Sequence, residues 1–269
     1  GQFPSAASGN GTVYVSDDYG VTWSGRGSSR AHTSITSDAS GNRLAVTVNN
    51  EGVYLSSDRG TTWTLANITD ASSYIWGTVA SDHSGQHLTA VGAVDFYNPG
   101  HAVHSHDFGV TWATAVNPCQ YYQASSSVAM NHDGQYQYIS FEWCSSRSSD
   151  YGATWTQTAT LLKAVATSGN GQRVAATSGW NGQYIVGSTD YGETWTQFSH
   201  PTETSFSSIV MDASGLNIVV GGLSLRAVIA SADGGATWSY ITPTGGDFAK
   251  TWPHRMVGDA SAKHLLIAQ

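Results

Sequence analysis

One octapeptide occurs six times in this chain: SDDYGVTW (16–23), SSDRGTTW (56–63), SHDFGVTW (105–112), SSDYGATW (148–155), STDYGETW (188–195) and SADGGATW (231–238). The shared pattern is S-x-D-x-G-x-T-W, called the box below. Its aspartates, Asp18, Asp58, Asp107, Asp150, Asp190 and Asp233, are separated by 40, 49, 43, 40 and 43 residues. Self-similarity at such a period means one supersecondary unit used repeatedly, each copy burying its apolar faces against its neighbours.

A second signal runs between the boxes, a turn followed by an alternating strand. It reads DASGNRLAVTV (38–48), SDHSGQHLTAVGA (81–93), NHDGQYQYISF (131–141), SGNGQRVAATS (168–178), DASGLNIVVGG (212–222) and DASAKHLLIAQ (259–269). Asp, Asn or Ser beside Gly between apolar-alternating runs is a hairpin signal. Each unit thus reads strand, turn, strand, loop, strand, box, strand. Four short strands per 40–50 residues predict an all-β, six-bladed β-propeller of four-stranded antiparallel blades, a single domain over 1–269. The chain opens on GTVYVSDD (11–18) without a preceding hairpin and closes on HRMVGDASAKHLLIAQ (254–269), a hairpin without a box. The two halves are expected to complete one blade, closing it with N- and C-terminal strands and removing exposed edges.

The box resembles the Asp box, or BNR repeat, of the sialidase superfamily, the Vps10 domains, certain endoglucanases and photosystem II assembly factors. The resemblance covers essentially the whole chain. It implies the propeller fold and, as in the sialidases, a functional face opposite the boxes. It does not choose between enzyme and binding protein, because one fold hosts many functions. The boxes themselves read as structural. The Asp carboxylate suits backbone N–H groups of its own turn, and Gly supplies a backbone conformation closed to other residues. Trp23, Trp63, Trp112, Trp155, Trp195 and Trp238 can wedge against neighbouring strands. One carboxylate among hydroxyls is too few ligands for calcium.

Composition narrows the partners. Charged residues are 11% and the net charge is −8 with three lysines, which argues against nucleic acid and anionic membranes. No apolar run reaches the length of a membrane span. Ten Trp and thirteen Tyr argue against disorder. Two sequons, at Asn10 and Asn67, and two cysteines favour a secreted or otherwise extracytoplasmic glycoprotein. Counting outward from the turn at 131–134 brings 121 opposite 144, so a Cys119–Cys144 disulfide needs a small adjustment; two free buried thiols are the alternative. No cofactor is implied. No two His sit at a ligand spacing with a third group, so no metal is expected.

If the boxes staple one end of every blade, the loops into each first strand and between second and third strands build the other. Sorting by that rule places Arg43, Arg59 and Arg173 at the box end and Arg26, Arg30, Arg147, Arg226 and Arg255 at the opposite end. With the latter go Tyr74, Tyr184, His32, His101, His254 and Glu51. Ligand-binding candidates there are Trp76, Tyr97, Tyr122, Trp143, Arg147, Trp180, Asn181, Asp247 and Trp252, since aromatic faces ringed by planar polar groups suit a sugar. The function expected is therefore lectin-like recognition of carbohydrate or a glycosylated partner. The alternative is a sialidase-like glycoside hydrolase. The resemblance would then demand an arginine clamp (Arg30, Arg226, Arg255), a Tyr–Glu pair (Tyr121, Glu142) and an acid (Asp70 or Asp95). The F/Y-R-I-P-like motif of that family is missing here. A protein-assembly scaffold is the third class.

Overall fold

The structure is a computed structural model that describes residues 4–93, 100–115, 118–119, 127–141, 143–179, 182–201, 205–222, 228–241, 255–258 and 265–268. The chain divides into two compact units, Gly1–Gln157 and Thr158–Gln269.

The first unit holds four strand sets. The first is β1 (Ser5–Ala7), β2 (Gly11–Val15) and β3 (Ser24–Arg30). The second is β4 (His32–Ser37), β5 (Leu44–Val48), β6 (Gly52–Ser56) and β7 (Thr64–Leu65). The third is β8 (Ile75–Ser81), β9 (Leu88–Ala93), β10 (Gly100–Ser105) and β11 (Ala113–Ala115), preceded by a 3-10 turn at Ala71–Ser73. The fourth is β12 (Ser127–Met130), β13 (Gln137–Ser140), β14 (Ser145–Ser148) and β15 (Thr156–Gln157). Strands follow chain order within each sheet and every pairing is antiparallel.

The second unit continues the pattern. It holds β16 (Leu162–Thr167), β17 (Val174–Ser178), β18 (Tyr184–Ser188) and β19 (Thr196–Gln197), then β20 (Phe206–Met211), β21 (Ile218–Gly222), β22 (Val228–Ser231) and β23 (Ser239–Ile241). It ends on the hairpin β24 (Arg255–Gly258) and β25 (Leu265–Ala268).

Sequence explains which strand sits where. The second strand of each complete set, such as Leu44–Val48 or Val174–Ser178, is buried along its whole length, covered on both faces. Fourth strands such as Thr64–Leu65 and Thr196–Gln197 are exposed. Apolar side chains interlock between successive sets. Val13 and Val15 of β2 meet Leu44, Val46 and Val48 of β5. Ala45 and Val53 pack with Trp76, Val79, Leu88, Ala90 and Val103. Val91 and Ala102 pack with Ile139, Phe141 and Trp155. Each fully buried Val, Leu, Ile or Phe among them contributes roughly 1.5–3 kcal/mol.

The C-terminal hairpin forms, with Arg255 opposite Ala268, as a two-stranded sheet of its own. β1 lies along the edge of β2, with Ser5 opposite Val15 and Ala7 opposite Val13. Ser8–Gly11 makes the turn, Gly11 N–H donating to Ser8 O at 3.3 Å, so the partner strand comes from the adjacent chain. So short a loop costs little closure entropy.

The six boxes are near-identical turns. In each, the Ser hydroxyl donates to the Asp carboxylate at 2.7–2.9 Å and accepts the Gly N–H at 2.8–3.0 Å. The Thr backbone N–H reaches the same carboxylate at 2.8–2.9 Å, and the Thr hydroxyl donates to its second oxygen at 2.5–2.7 Å. This network holds two successive residues left-handed. Tyr19, Arg59, Phe108, Tyr151 and Tyr191 have φ of 59–63° ahead of their box glycines. That conformation is uncommon for side-chain-bearing residues, so the hydrogen bonds must outweigh it. Both carboxylate oxygens are engaged within the turn.

Candidate binding site

Most expected site residues lie outside the described residues: Asp95, Tyr97, Tyr121, Tyr122, Glu142, Trp180, Asn181, Arg226, Asp247 and Trp252. Arg255 stands on β24, at a register position opposite Ala268. The rest can be placed.

Trp143 occupies the turn between β13 and β14, closed by the Phe141 N–H donating to Cys144 O at 2.8 Å. Phe141, two residues earlier, is fully buried, while Trp143 is 40% exposed. Cys144 is bonded to Cys119 with Cα atoms 5.7 Å apart, the pairing expected from the strand count. Closing a loop of 25-residue separation stabilises by about 3 kcal/mol on the chain-entropy estimate. Reduction, or the Cys119→Ala/Cys144→Ala pair, should lower the urea midpoint by that equivalent. An unchanged midpoint would show that the bridge braces nothing. In the next set, the corresponding connection precedes Tyr184, which is 41% exposed.

Trp76 is corrected from ligand candidate to core. It is 1% exposed, and its indole N–H donates to Ala71 O at 2.8 Å. Beside it Tyr74 and His101 come together, ring centroids 4.7 Å apart. Burial, with the Asp70 charge second, raises the Tyr74 phenol pKa. Asp70 itself is exposed and left-handed (φ 56°) at the start of the 3-10 turn.

Two arginines are corrected in position. Arg147 directly precedes the box serine Ser148 and lies opposite Thr156, at the box end. Arg26 donates to Thr61 Oγ1 of the second box at 3.0 Å and pairs with Asp17 of the first at 3.3 Å.

Arg30 stays at the opposite end, where the structure builds a cluster that sequence reasoning missed. Its guanidinium is ion-paired to Glu51 and lies 4.3 Å above the Tyr54 ring. The Tyr54 hydroxyl donates to the same Glu51 oxygen at 2.8 Å. Burial, then the Glu51 hydrogen bond, raises the Tyr54 pKa. Carboxylate and guanidinium thus neutralise each other with the phenol hydrogen-bonded to the carboxylate, an arrangement suited to orienting a hydroxyl-bearing ligand. The available signal was Glu51 and Tyr54 at i, i+3 across a tight strand connection.

At the box end of the third and fourth sets, His83 stacks on His132 (centroids 4.9 Å), and His104 packs against His106 at the same distance. Among the described residues, no group of three or more His, Cys, Asp or Glu is placed to hold a metal. No described helix is long and apolar enough to cross a membrane.

No family model and no curated protein matches the chain. Solved structures do. A GH74 xyloglucanase from Xanthomonas campestris superposes with a TM-score of 0.73 at 17% identity, covering 99% of this chain and 48% of that one. An ancestral GH74 enzyme gives 0.71 at 16% identity, over 85% of this chain and 34% of that one. YCF48 bound to a D1 peptide gives 0.72 at 16% identity, over 99% and 86%. The chain has the six-bladed β-propeller fold. Its strand sets are blades. It spans between a third and a half of those GH74 chains but most of YCF48, and at these identities the likeness concerns fold alone.

Proposed function

We propose that this propeller is an extracytoplasmic binding protein, its boxes serving as Asp-box staples, that recognises carbohydrate or a glycosylated partner at the blade ends opposite them. The observation that carries this is Trp143. A large ring is held 40% exposed on a turn that the Phe141 N–H closes onto Cys144 O and a disulfide anchors. Large exposed aromatics on rigid supports mark interaction sites, and Trp is the residue most often dominant in them. Tyr184, at the start of β18 in the following blade, is a second exposed ring at a second-to-third strand connection. A disulfide and exposed Asn10 and Asn67 sequons support an oxidising, glycosylating compartment.

Protein docking is the second reading, favoured by the fold likeness to a propeller solved with a peptide over nearly its whole length. A glycan array, a peptide array and a fluorogenic glycoside panel run in parallel decide among the classes. Glycan retention that Trp143→Ala weakens at least tenfold is the expected result. Retention of peptides alone would favour docking. Turnover abolished by Glu142→Gln would establish the hydrolase and overturn the proposal.

A further inference from the structure

The fourth strand of every other described blade is two or three residues long, but β3 runs for seven, SGRGSSR. Its pairing with β2 is irregular. Gly11 faces Arg30 and Val13 faces Arg26, so four steps on β3 match two on β2. The surplus bulges at Gly27–Ser29, where Gly27 adopts φ 77°. Thr12 fastens the bulge, its hydroxyl donating to the Arg26 carbonyl, with Gly27 O at 3.2 Å. Bulges of this kind re-aim side chains and are over-represented beside functional sites.

The bulge overhangs a cleft of about 200 Å³ between β3 and the second blade, lined by Arg26, Arg30, His32, Tyr54, Thr61 and Trp63 among others. Here the box repeat breaks. In five boxes the indole N–H donates to the box glycine carbonyl at 2.9–3.0 Å. Trp63 makes no such bond. Its Nε1 lies against Gly27, where a Cβ would stand 2.7 Å away. Tyr54, which lines the cleft, is fixed in place by its hydroxyl donating to Glu51 at 2.8 Å. The arginines lining the cleft are already held in ion pairs, Arg30 with Glu51 and Arg26 with Asp17, a carboxylate that Arg59 shares. An uncharged ligand therefore fits better than an anion.

We infer that this cleft is a second binding site, separate from the Trp143 turn, and that it takes a single neutral pyranose ring. The volume suits one sugar ring. Arg30 and Tyr54, both oriented by Glu51, offer donors to ring hydroxyls, Thr61 offers a hydroxyl, and Trp63 offers an indole N–H and a ring for C–H contacts. The inference does not rest on glycan recognition at Trp143.

The test is titration of the full chain with methyl glycosides of neutral hexoses and, in parallel, with the corresponding uronates, followed by saturation-transfer NMR and the indole N–H resonances. The expected result is binding of a neutral glycoside, with Kd on the order of millimolar. The Trp63 indole signal, assigned by its loss in Trp63→Phe, should shift. Glu51→Gln and Tyr54→Phe should weaken the binding that the Trp63 signal reports at least fivefold. A motionless Trp63 signal in the wild-type chain, preference for the uronate, or full affinity in folded Glu51→Gln would overturn the inference. The wild-type titration decides even if a variant fails to fold, and a silent glycan array with a shifted Trp63 signal would sink only the Trp143 reading.

Discussion

Trp76→Ala is expected to cost about 3–5 kcal/mol of unfolding free energy, the range for deleting a large buried aromatic. Its ring fills the joint between the second and third blades, against Val53, Ile68, Val79, Leu88 and Val103. Gly92 faces it across β9, where even a methyl group would stand 3.2 Å from the indole, so the packing leaves no slack for collapse around a void. Trp76→Phe isolates the hydrogen bond. The ring volume mostly survives and Ala71 O keeps the Tyr74 N–H at 3.3 Å, so losing the indole donor should cost about 0.5–1.5 kcal/mol. Urea unfolding of both variants gives the numbers. Were Trp76 a ligand ring, alanine would abolish binding and leave stability within about 0.5 kcal/mol, as surface substitutions usually do. That outcome would reverse the correction.

Trp76 also shows where reading the chain alone reached its limit. Periodicity located the hairpins and box turns within a residue or two, because those signals are local: Gly at a positive φ, alternation behind it, Asp and Thr spaced to close a turn. Whether a tryptophan at the start of a first strand points outward or into the joint depends on the register shift between Trp76 and Thr78 opposite Gly92 and Val91. No composition rule reports such a shift. The disulfide was legible since hairpin pairing is arithmetic. The Arg30–Glu51–Tyr54 cluster was not, because it joins two blades and depends on how far β3 extends. Arg26 and Arg147 were assigned to the wrong end for a related reason. Their distance along the strand from the box, not their membership of a loop, decides which end they occupy. The placement of β1 on the edge of β2 shows the same limit, since Ser5–Ala7 is too short and too small to announce itself as a strand.

Acid should unfold this protein in two stages, and the boxes set the second. Hydrogen bonds from the Thr hydroxyl, the Thr N–H and the Ser hydroxyl lower the carboxyls of Asp18, Asp58, Asp190 and Asp233 from 3.8 to about 2. Asp107 is lowered by the same bonds, and in Asp150 they override an opposing effect of burial. A carboxyl with a depressed folded-state pKa contributes stability that is present in full above its unfolded value and lost as pH falls through the folded one. With six copies, stability should drop steeply from about pH 4 toward pH 2. Asp190→Asn should lower stability at neutral pH and flatten that limb. A shallower stage comes first. Burial, then the His106 charge, lowers the His104 pKa against the opposing pull of Asp150; burial, then His83, lowers that of His132 against Asp133. Unfolding lets both imidazoles take up protons, so stability should begin to decline as pH falls below about 6.5. The double variant His104→Gln/His132→Gln should remove this first decline and leave the second intact. Urea midpoints measured from pH 8 to pH 2.5 in both backgrounds would show it. A single transition near pH 4 in the wild-type chain would mean that the stacked histidines do not resist protonation, and a flat profile down to pH 2.5 would mean that the box carboxylates do not hold their turns.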